Sequence, residues 1–188
     1  MPSKTAYITG GASGIGLAIA NKLHSRGYNI ALPDFNISAA QTAVDKLKSS
    51  SGSQQCIALE TDVRSWQSQV AAFQRAIDAF GRIDVVIVNA GIGERAFVVN
   101  DGGKGTGFVE PDMSVLEVDL QGFMYTVSLA VQQMRRQDVG EDGFRGKSKL
   151  LARGFLSALA DKSQSLAPRP SAASIVYRVS FFSRAKID

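Results

Sequence analysis

Four glycines crowd into Thr9-Gly10-Gly11-Ala12-Ser13-Gly14-Ile15-Gly16, near the start of a 188-residue chain. Such a run bares main-chain N–H groups, and the start of a helix favours negative charge. A pyrophosphate needs that combination. A Cβ at the tight-turn positions would block its approach, and a side chain at Gly16 would push the helix off the sheet. The spacing, with glycines at 10, 14 and 16, differs from G-x-G-x-x-G, and a plain tight turn between strand and helix would read the same way. Asp34 lies 18 residues beyond Gly16. A carboxylate there accepts hydrogen bonds from both hydroxyls of an adenosine ribose and repels a 2′-phosphate. No Lys or Arg lies within Gly10–Gly16. Together these features point to NAD rather than NADP, a solvated loop carboxylate being the other reading of Asp34.

The elements that must position these residues follow from periodicity. Ala6–Thr9 reads as a strand, and Ile15 to Arg26 as a helix with Ile15, Ile19 and Leu23 on one face and Gly27 as its stop. Tyr28–Leu32 and Gln55–Leu59 read as further strands. Ser38 is expected to cap a helix carrying Ala40, Val44 and Leu47. Ser65 is expected to cap another, with Trp66, Val70, Phe73, Ile77 and Phe80 at helical spacing and Gly81 at its end. Ile83–Val88 is almost continuously apolar, as in a central parallel strand. A glycine-rich loop follows over 91–107. A long helix then starts at Ser114, with Leu116, Leu120, Phe123, Met124, Val127, Val131 and Met134 in its period. Strands separated by helices predict an α/β fold, a Rossmann-type three-layer sandwich with a parallel sheet.

Thr9-Gly10-x-x-x-Gly14-Ile15-Gly16, Asp34, Asp62-Val63 and Asn89-Ala90-Gly91 stand in the order and spacing of the short-chain dehydrogenase/reductase family, which the chain resembles over about residues 4–137. Val88–Ile92 and Glu117–Leu129, with Gly122 and Tyr125-Thr126-Val127, look most like NAD-dependent 15-hydroxyprostaglandin dehydrogenase-like members. The resemblance implies that Asp62 bonds the adenine amino group while Val63 packs near the ring. It implies that Asn89, Ala90 and Gly91 line the cofactor, that Asn89 also steadies the sheet, and that Ile15 supports the nicotinamide end. On the residues alone, Asp62 reads equally as a helix N-terminal charge and Asn89 as a turn residue.

Catalysis in that family uses a tyrosine, a lysine four residues later, a serine, and an asparagine on the long helix. A phenol, with an ordinary pKa of about 10, must be tuned by adjacent positive charge before it works as a base. The asparagine position holds Asp119, which is near-isosteric but cannot donate a hydrogen bond when ionised. Tyr125 is followed four residues on by Leu129 and Tyr177 by Phe181, while Tyr7 and Tyr28 fall in early strands. No tyrosine has the required lysine. Gly146-Lys147-Ser148-Lys149 stands where the serine-bearing strand should begin and does not read as one.

The formal net charge is +4, and the halves disagree. Residues 1–143 hold 12 Lys+Arg against 15 Asp+Glu, and residues 144–188 hold 9 against 2. The expected organisation is a dinucleotide-binding domain over 1–143 and an atypical basic tail over 144–188, which would leave the fold C-terminally incomplete. In the tail, Leu150, Leu151, Phe155, Leu156 and Leu159 suggest a helix, residues 163–174 a loop, and Ile175–Phe182 a fifth strand. A changed reading frame or retained intron after about Gly146 would account for the shift in charge and Ser/Arg/Pro content.

One cysteine and one histidine exclude a disulfide framework and a zinc set, so no metal is expected. His24 reads as a surface residue, Cys56 and Trp66 as packing, and Arg135-Arg136 as a helix terminus. No apolar run reaches the length of a membrane span, and no signal peptide is visible. The expected setting is cytoplasmic. The expected partners are NAD, an alcohol or ketone if the chain is active, and a second copy through the long helix, rather than nucleic acid or membrane. Three readings remain open: an impaired oxidoreductase, a non-catalytic dinucleotide-binding or interaction module, and an unstable truncated or frameshifted product.

Overall fold

The computed structural model describes residues 3–49, 54–93, 107–138, 146–152 and 175–181. Six parallel strands form one sheet in the order β3-β2-β1-β4-β5-β6. They are β1 (Thr5–Ile8), β2 (Asn29–Asp34), β3 (Cys56–Glu60), β4 (Val85–Val88), β5 (Gly146–Ala152) and β6 (Ile175–Phe181). The helices are α1 (Gly14–His24), α2 (Ile37–Ser49), α3 (Trp66–Phe80), the single turn α4 (Ser114–Leu116) and α5 (Phe123–Arg136). Between α4 and α5 lies a π-helix over Glu117–Gly122.

Side chains alternate across a strand, and this alternation divides the core in two. Ala6 and Ile8 of β1, with Ile30 and Leu32 of β2, pack with Ala20 of α1 and Ala43, Val44 and Leu47 of α2. Tyr7, Ala31, Leu59, Val86 and Val88 pack on the other face with Ala72, Phe73 and Ala76 of α3 and Ala130 and Met134 of α5. Three layers result, as the alternation of signals predicts.

Several faces differ from the expected ones. Ile15 is 40% exposed, and α1 buries Gly16, Ala20 and His24 instead. His24, expected at the surface, is only 5% exposed. Its spacing from Gly16 and Ala20 puts it on the inner stripe, and that geometry overrides its polarity. On α3 the inward positions are Gln69, Ala72, Phe73 and Ala76, while Val70 is 39% exposed. The amide of Asn36, rather than Ser38, caps α2, accepting from the Ala39 N–H at 3.0 Å. Ser65 does cap α3, accepting from the Ser68 N–H, and Gly81 ends it at φ +78°.

The long helix is not one helix. Its buried stripe is Gly122, Thr126, Ala130 and Met134, while Leu116, Leu120, Phe123, Val127 and Val131 are half-buried and Met124 is 56% exposed. Gly146–Ala152, expected not to be a strand, pairs with β4 from Val85↔Lys147 to Val88↔Leu150. This stretch lacks β-branched residues, and backbone pairing with β4 supplies what propensity does not. At Gly146 a Cβ would meet the Met134 side chain at 2.6 Å, so the glycine lets α5 close on the strand. The helix expected over Leu150–Leu159 is thus a strand as far as Ala152. The rest of it, the loop over 163–174 and Phe182 lie outside the described residues. The apolar run at 175 does form a strand, the sixth rather than the fifth.

Tyr7 is fully buried against Phe73, with ring centroids 4.2 Å apart, and burial pushes its phenol well above the ordinary range. Its hydroxyl has no hydrogen-bond partner among the described residues. A buried unpaired hydroxyl costs stability that its removal recovers. Tyr7→Phe is therefore expected to leave the unfolding free energy unchanged or raise it by about 1 kcal/mol, as read from urea denaturation. A loss of more than that would reveal a partner for the hydroxyl.

Candidate functional site

The chain goes from β1 through α1 to β2 on one side, and from β3 through α3 to β4 on the other side of β1. The connections diverge between β1 and β4, which opens a crevice at the carboxyl ends of these strands. Every sequence-predicted binding residue lies at that edge. Thr9–Gly16 follows β1, Asp34 ends β2, Asp62-Val63 follows β3 and Asn89–Gly91 follows β4.

Thr9 and Asn89 join the two sides. The Thr9 hydroxyl accepts from the N–H groups of Asn89 at 3.0 Å and Ala90 at 3.1 Å. The Asn89 amide donates to the carbonyls of Thr9 and Gly10, both at 3.1 Å. Gly10 sits at φ +63°, a left-handed conformation that glycine adopts without cost. Its N–H reaches the Pro33 carbonyl at 2.9 Å, so the loop is also tied to β2.

Gly16 is required by contact. A Cβ there would collide with the Gly10 carbonyl and lie 2.6 Å from the Asn89 amide nitrogen. The side chain expected to push α1 off the sheet would instead break the Gly10–Asn89 clasp. Nothing lies within 4 Å of a Cβ placed on Gly14, so that side of the loop is open.

The Asp34 carboxylate is held from two directions. Oδ2 accepts from the Ala12 N–H and Oδ1 from the Asn36 N–H, both at 3.0 Å. A carboxylate has about four lone-pair positions, so the remaining pair can accept two ribose hydroxyls.

Asp62 is engaged by its neighbour. Arg64 donates through Nε to both oxygens and through Nη2 to Oδ2 at 2.8 Å, and its N–H adds a bond to Oδ1. These bonds, the guanidinium's first, hold the Asp62 carboxyl below its ordinary pKa. An adenine amino group would have to share this carboxylate with Arg64.

On the far side, Asp119 of the π-helix accepts the Ile92 N–H through Oδ1 at 2.9 Å, and a Cβ on Gly91 would stand 3.3 Å from the same oxygen. π-Helical turns recur at functional sites. The α3 residue Gln69 links Val63 to the π-helix, a connection that sequence reasoning missed. The signal for it was a glutamine in the inward period of α3, where an apolar residue is the norm. Tyr7 is buried in the core, and Tyr125 packs edge-on against Trp66 at 5.3 Å. Among the described residues no group of three or more His, Cys, Asp or Glu could hold a metal. None of their helices is long and apolar enough to cross a membrane.

A glycine-rich turn after β1 with no room for a Cβ at Gly10 or Gly16, and an acidic residue fixed at the end of β2, place the chain among Rossmann-like α/β proteins. The chain belongs to the short chain dehydrogenase family, which it matches over residues 4–141. It is 34% identical over 144 residues to a short-chain dehydrogenase/reductase of Acremonium egyptiacum, covering 76% of this chain and 46% of the relative. It is 32% identical over 167 residues to an NADP-dependent dehydrogenase of Cochliobolus lunatus, covering 85% and 56%. With the 3-hydroxyacyl-CoA dehydrogenase type-2 of Homo sapiens it shares 33% over 141 residues, covering 75% and 52%. The chain thus spans about half the length of the curated relatives it matches.

Among solved structures, a 3-ketoacyl-ACP reductase from Sinorhizobium meliloti 1021 superposes with a TM-score of 0.65 at 26% identity, over 78% of this chain and 52% of that one. An alcohol dehydrogenase from the archaeon Thermococcus sibiricus, complexed with 5-hydroxy-NADP, gives 0.64 at 26% identity, over 79% and 57%. The family binds a nicotinamide dinucleotide, and the glycine contacts described above fit such a group.

Two measurements test this geometry. Gly16→Ala is expected to cost about 1–3 kcal/mol of unfolding free energy, as overpacking does; an unchanged urea midpoint would mean the clasp yields freely. The lowered Asp62 pKa means its stabilising contribution is complete above the ordinary carboxylate range and is lost as pH falls through the lowered folded value. Carboxyl NMR is expected to show Asp62 titrating below that range, and Arg64→Ala is expected to move the midpoint upward.

Proposed function

We propose that the chain binds NAD at the carboxyl edge of the sheet as an oxidoreductase-type protein for alcohol–ketone hydride transfer, with turnover weak or absent. The observation that carries this reading is the Asp34 carboxylate, fixed by the N–H groups of Ala12 and Asn36. It offers acceptors to two ribose hydroxyls and negative charge where a 2′-phosphate would sit. The relative from Cochliobolus lunatus is named as NADP-dependent, so the choice between the two dinucleotides is the sharp test.

The nicotinamide would supply the hydride chemistry when bound. The chain's residues would supply placement. Thr9, Gly10, Gly14 and Gly16 would present the loop to the pyrophosphate, with Ile15 toward the nicotinamide end. Asp62 and Val63 would face the adenine, and Asn89, Ala90 and Gly91 would form the opposite wall. Asp119 would stand in for the family's asparagine, acting only as an acceptor while ionised.

Weak or absent turnover rests on the tyrosines. None has a lysine four residues on, the spacing by which the family brings positive charge to its phenol. The same fact favours a second reading, a dinucleotide-binding module without catalysis. The 15-hydroxyprostaglandin dehydrogenase-like stretch over Glu117–Leu129 and a homodimer through α5 belong to the proposal too. So does the division into a binding domain over 1–143 and a basic segment beyond it.

Calorimetric titration of the full chain with NAD and NADP, for wild type and Asp34→Ala, tests binding. Wild type is expected to prefer NAD. Asp34→Ala is expected to weaken NAD by about ten- to a hundredfold, the worth of charge-assisted hydrogen bonds, and to erase the preference. NADH absorbance with a panel of secondary alcohols tests chemistry, with no signal above the blank expected. Rapid NADH formation would restore a working enzyme, and a folded chain that ignores NAD at millimolar concentration would end the reading.

A further inference from the structure

Gln69 is fully buried on the inner face of α3. Its amide nitrogen donates to the Val63 carbonyl at 2.6 Å and to the Gly122 carbonyl at 2.9 Å. Its amide oxygen accepts from the Thr126 hydroxyl at 2.7 Å, and that hydroxyl also lies 2.9 Å from the Gly122 carbonyl. The two carbonyls fix which end of the amide faces them, and the hydroxyl takes the other end. Two of the three partners lie in segments that frame the proposed site. Val63 is on the turn after β3, and Gly122 ends the π-helix that carries Asp119.

The two segments touch closely. A Cβ on Gly122 would stand 2.9 Å from the Val63 side chain. Gln121 adds a bond from its amide to the Arg64 carbonyl at 2.9 Å, and Arg64 reaches Glu117 at 3.7 Å, but these ties are exposed and water competes for them. The buried tie is the Gln69 amide. Beyond it, Asp119 grips the Ile92 N–H, next to Gly91 on the opposite wall. One chain of contacts therefore runs from Val63 through Gln69, Gly122 and Asp119 to Ile92.

We propose that Gln69, with Thr126, is a positioning residue that sets the separation between the Asp62-Val63 wall and the Gly91-Ile92 wall of the dinucleotide site. The inference rests on the dinucleotide reading and extends it. A ligand that spans both walls depends on that separation, and a ligand held by Asp34, the glycine loop and the Asp62-Val63 wall alone does not. NAD is of the first kind and AMP of the second.

The test compares the dissociation constants of NAD and AMP for the full chain carrying Gln69→Leu, Thr126→Val or Thr126→Ser. Gln69→Leu and Thr126→Val are expected to weaken NAD by about tenfold, the scale of a lost buried hydrogen bond, and to shift AMP by less than about twofold. Thr126→Ser keeps the hydroxyl and is expected to bind both like wild type. If Gln69→Leu does not fold, the two Thr126 variants decide alone. Variants that bind NAD as wild type does, or that lose NAD and AMP in equal measure, overturn the proposal while leaving the dinucleotide reading intact. A wild-type chain that binds no NAD removes both.

Discussion

The clasp between Thr9 and Asn89 holds the site together. One hydroxyl accepts two N–H groups from the turn after β4, and one amide returns both its protons to carbonyls of the turn after β1. The two turns belong to strands 80 residues apart in sequence, and their relative position sets the width of the crevice. The clasp also dictates local sequence. α1 starts so close to it that position 16 has no room for a Cβ, and Gly10 must turn left-handed to present its carbonyl. With the loop fixed, the Ala12 N–H meets the Asp34 carboxylate, and β2 delivers its acidic end to the same edge. A change at Thr9 or Asn89 would thus reach the site through the backbone of both turns.

Much of this arrangement is legible in the sequence. Short apolar runs between helical patterns locate β1 to β4, and the glycine spacing and Asp34 locate the edge where they converge. What escaped was the facing of helices. His24 reads as a surface residue by its chemistry, yet it follows Gly16 and Ala20 on the stripe that α1 lays against the sheet. Val70 reads as core by its side chain, yet Gln69 takes the buried place because its amide finds three partners there. Composition predicts burial only where no specific hydrogen bond competes. β5 escaped for a different reason. Lys147, Ser148 and Lys149 have little intrinsic preference for a strand, and only the exposed edge of β4 makes the strand worth forming. A π-helix has no compositional signature, so Glu117–Gly122 reads as ordinary helix until the backbone is seen.

That π-helix carries Asp119 to the turn after β4 although its segment looks like core packing. The widened turn brings its carboxylate to the Ile92 N–H, where it accepts a bond as an asparagine carbonyl would. The two residue types part company at the other atom. An amide brings a second group that donates, whereas an ionised carboxylate can only accept. Asp119 therefore makes the bond to the Ile92 N–H that an asparagine carbonyl could make, and as an ionised carboxylate it offers no donor beside it.

Binding and chemistry draw on different physical resources in this chain. The edge proposed to bind is made from glycine turns and the carboxylates of Asp34 and Asp62, which lie within the first 92 residues. The acid–base step needs a phenol brought into range by a nearby cation, and a phenol is not tuned by being present. Tyr7 shows the opposite case, since its burial in the core raises its pKa and leaves it with no route to the crevice. Tyr125 is spent on the Trp66 ring. The clasp between Thr9 and Asn89 and the bonds that fix Asp34 depend on neither tyrosine ring, so the geometry of that edge is set independently of where the described phenols lie.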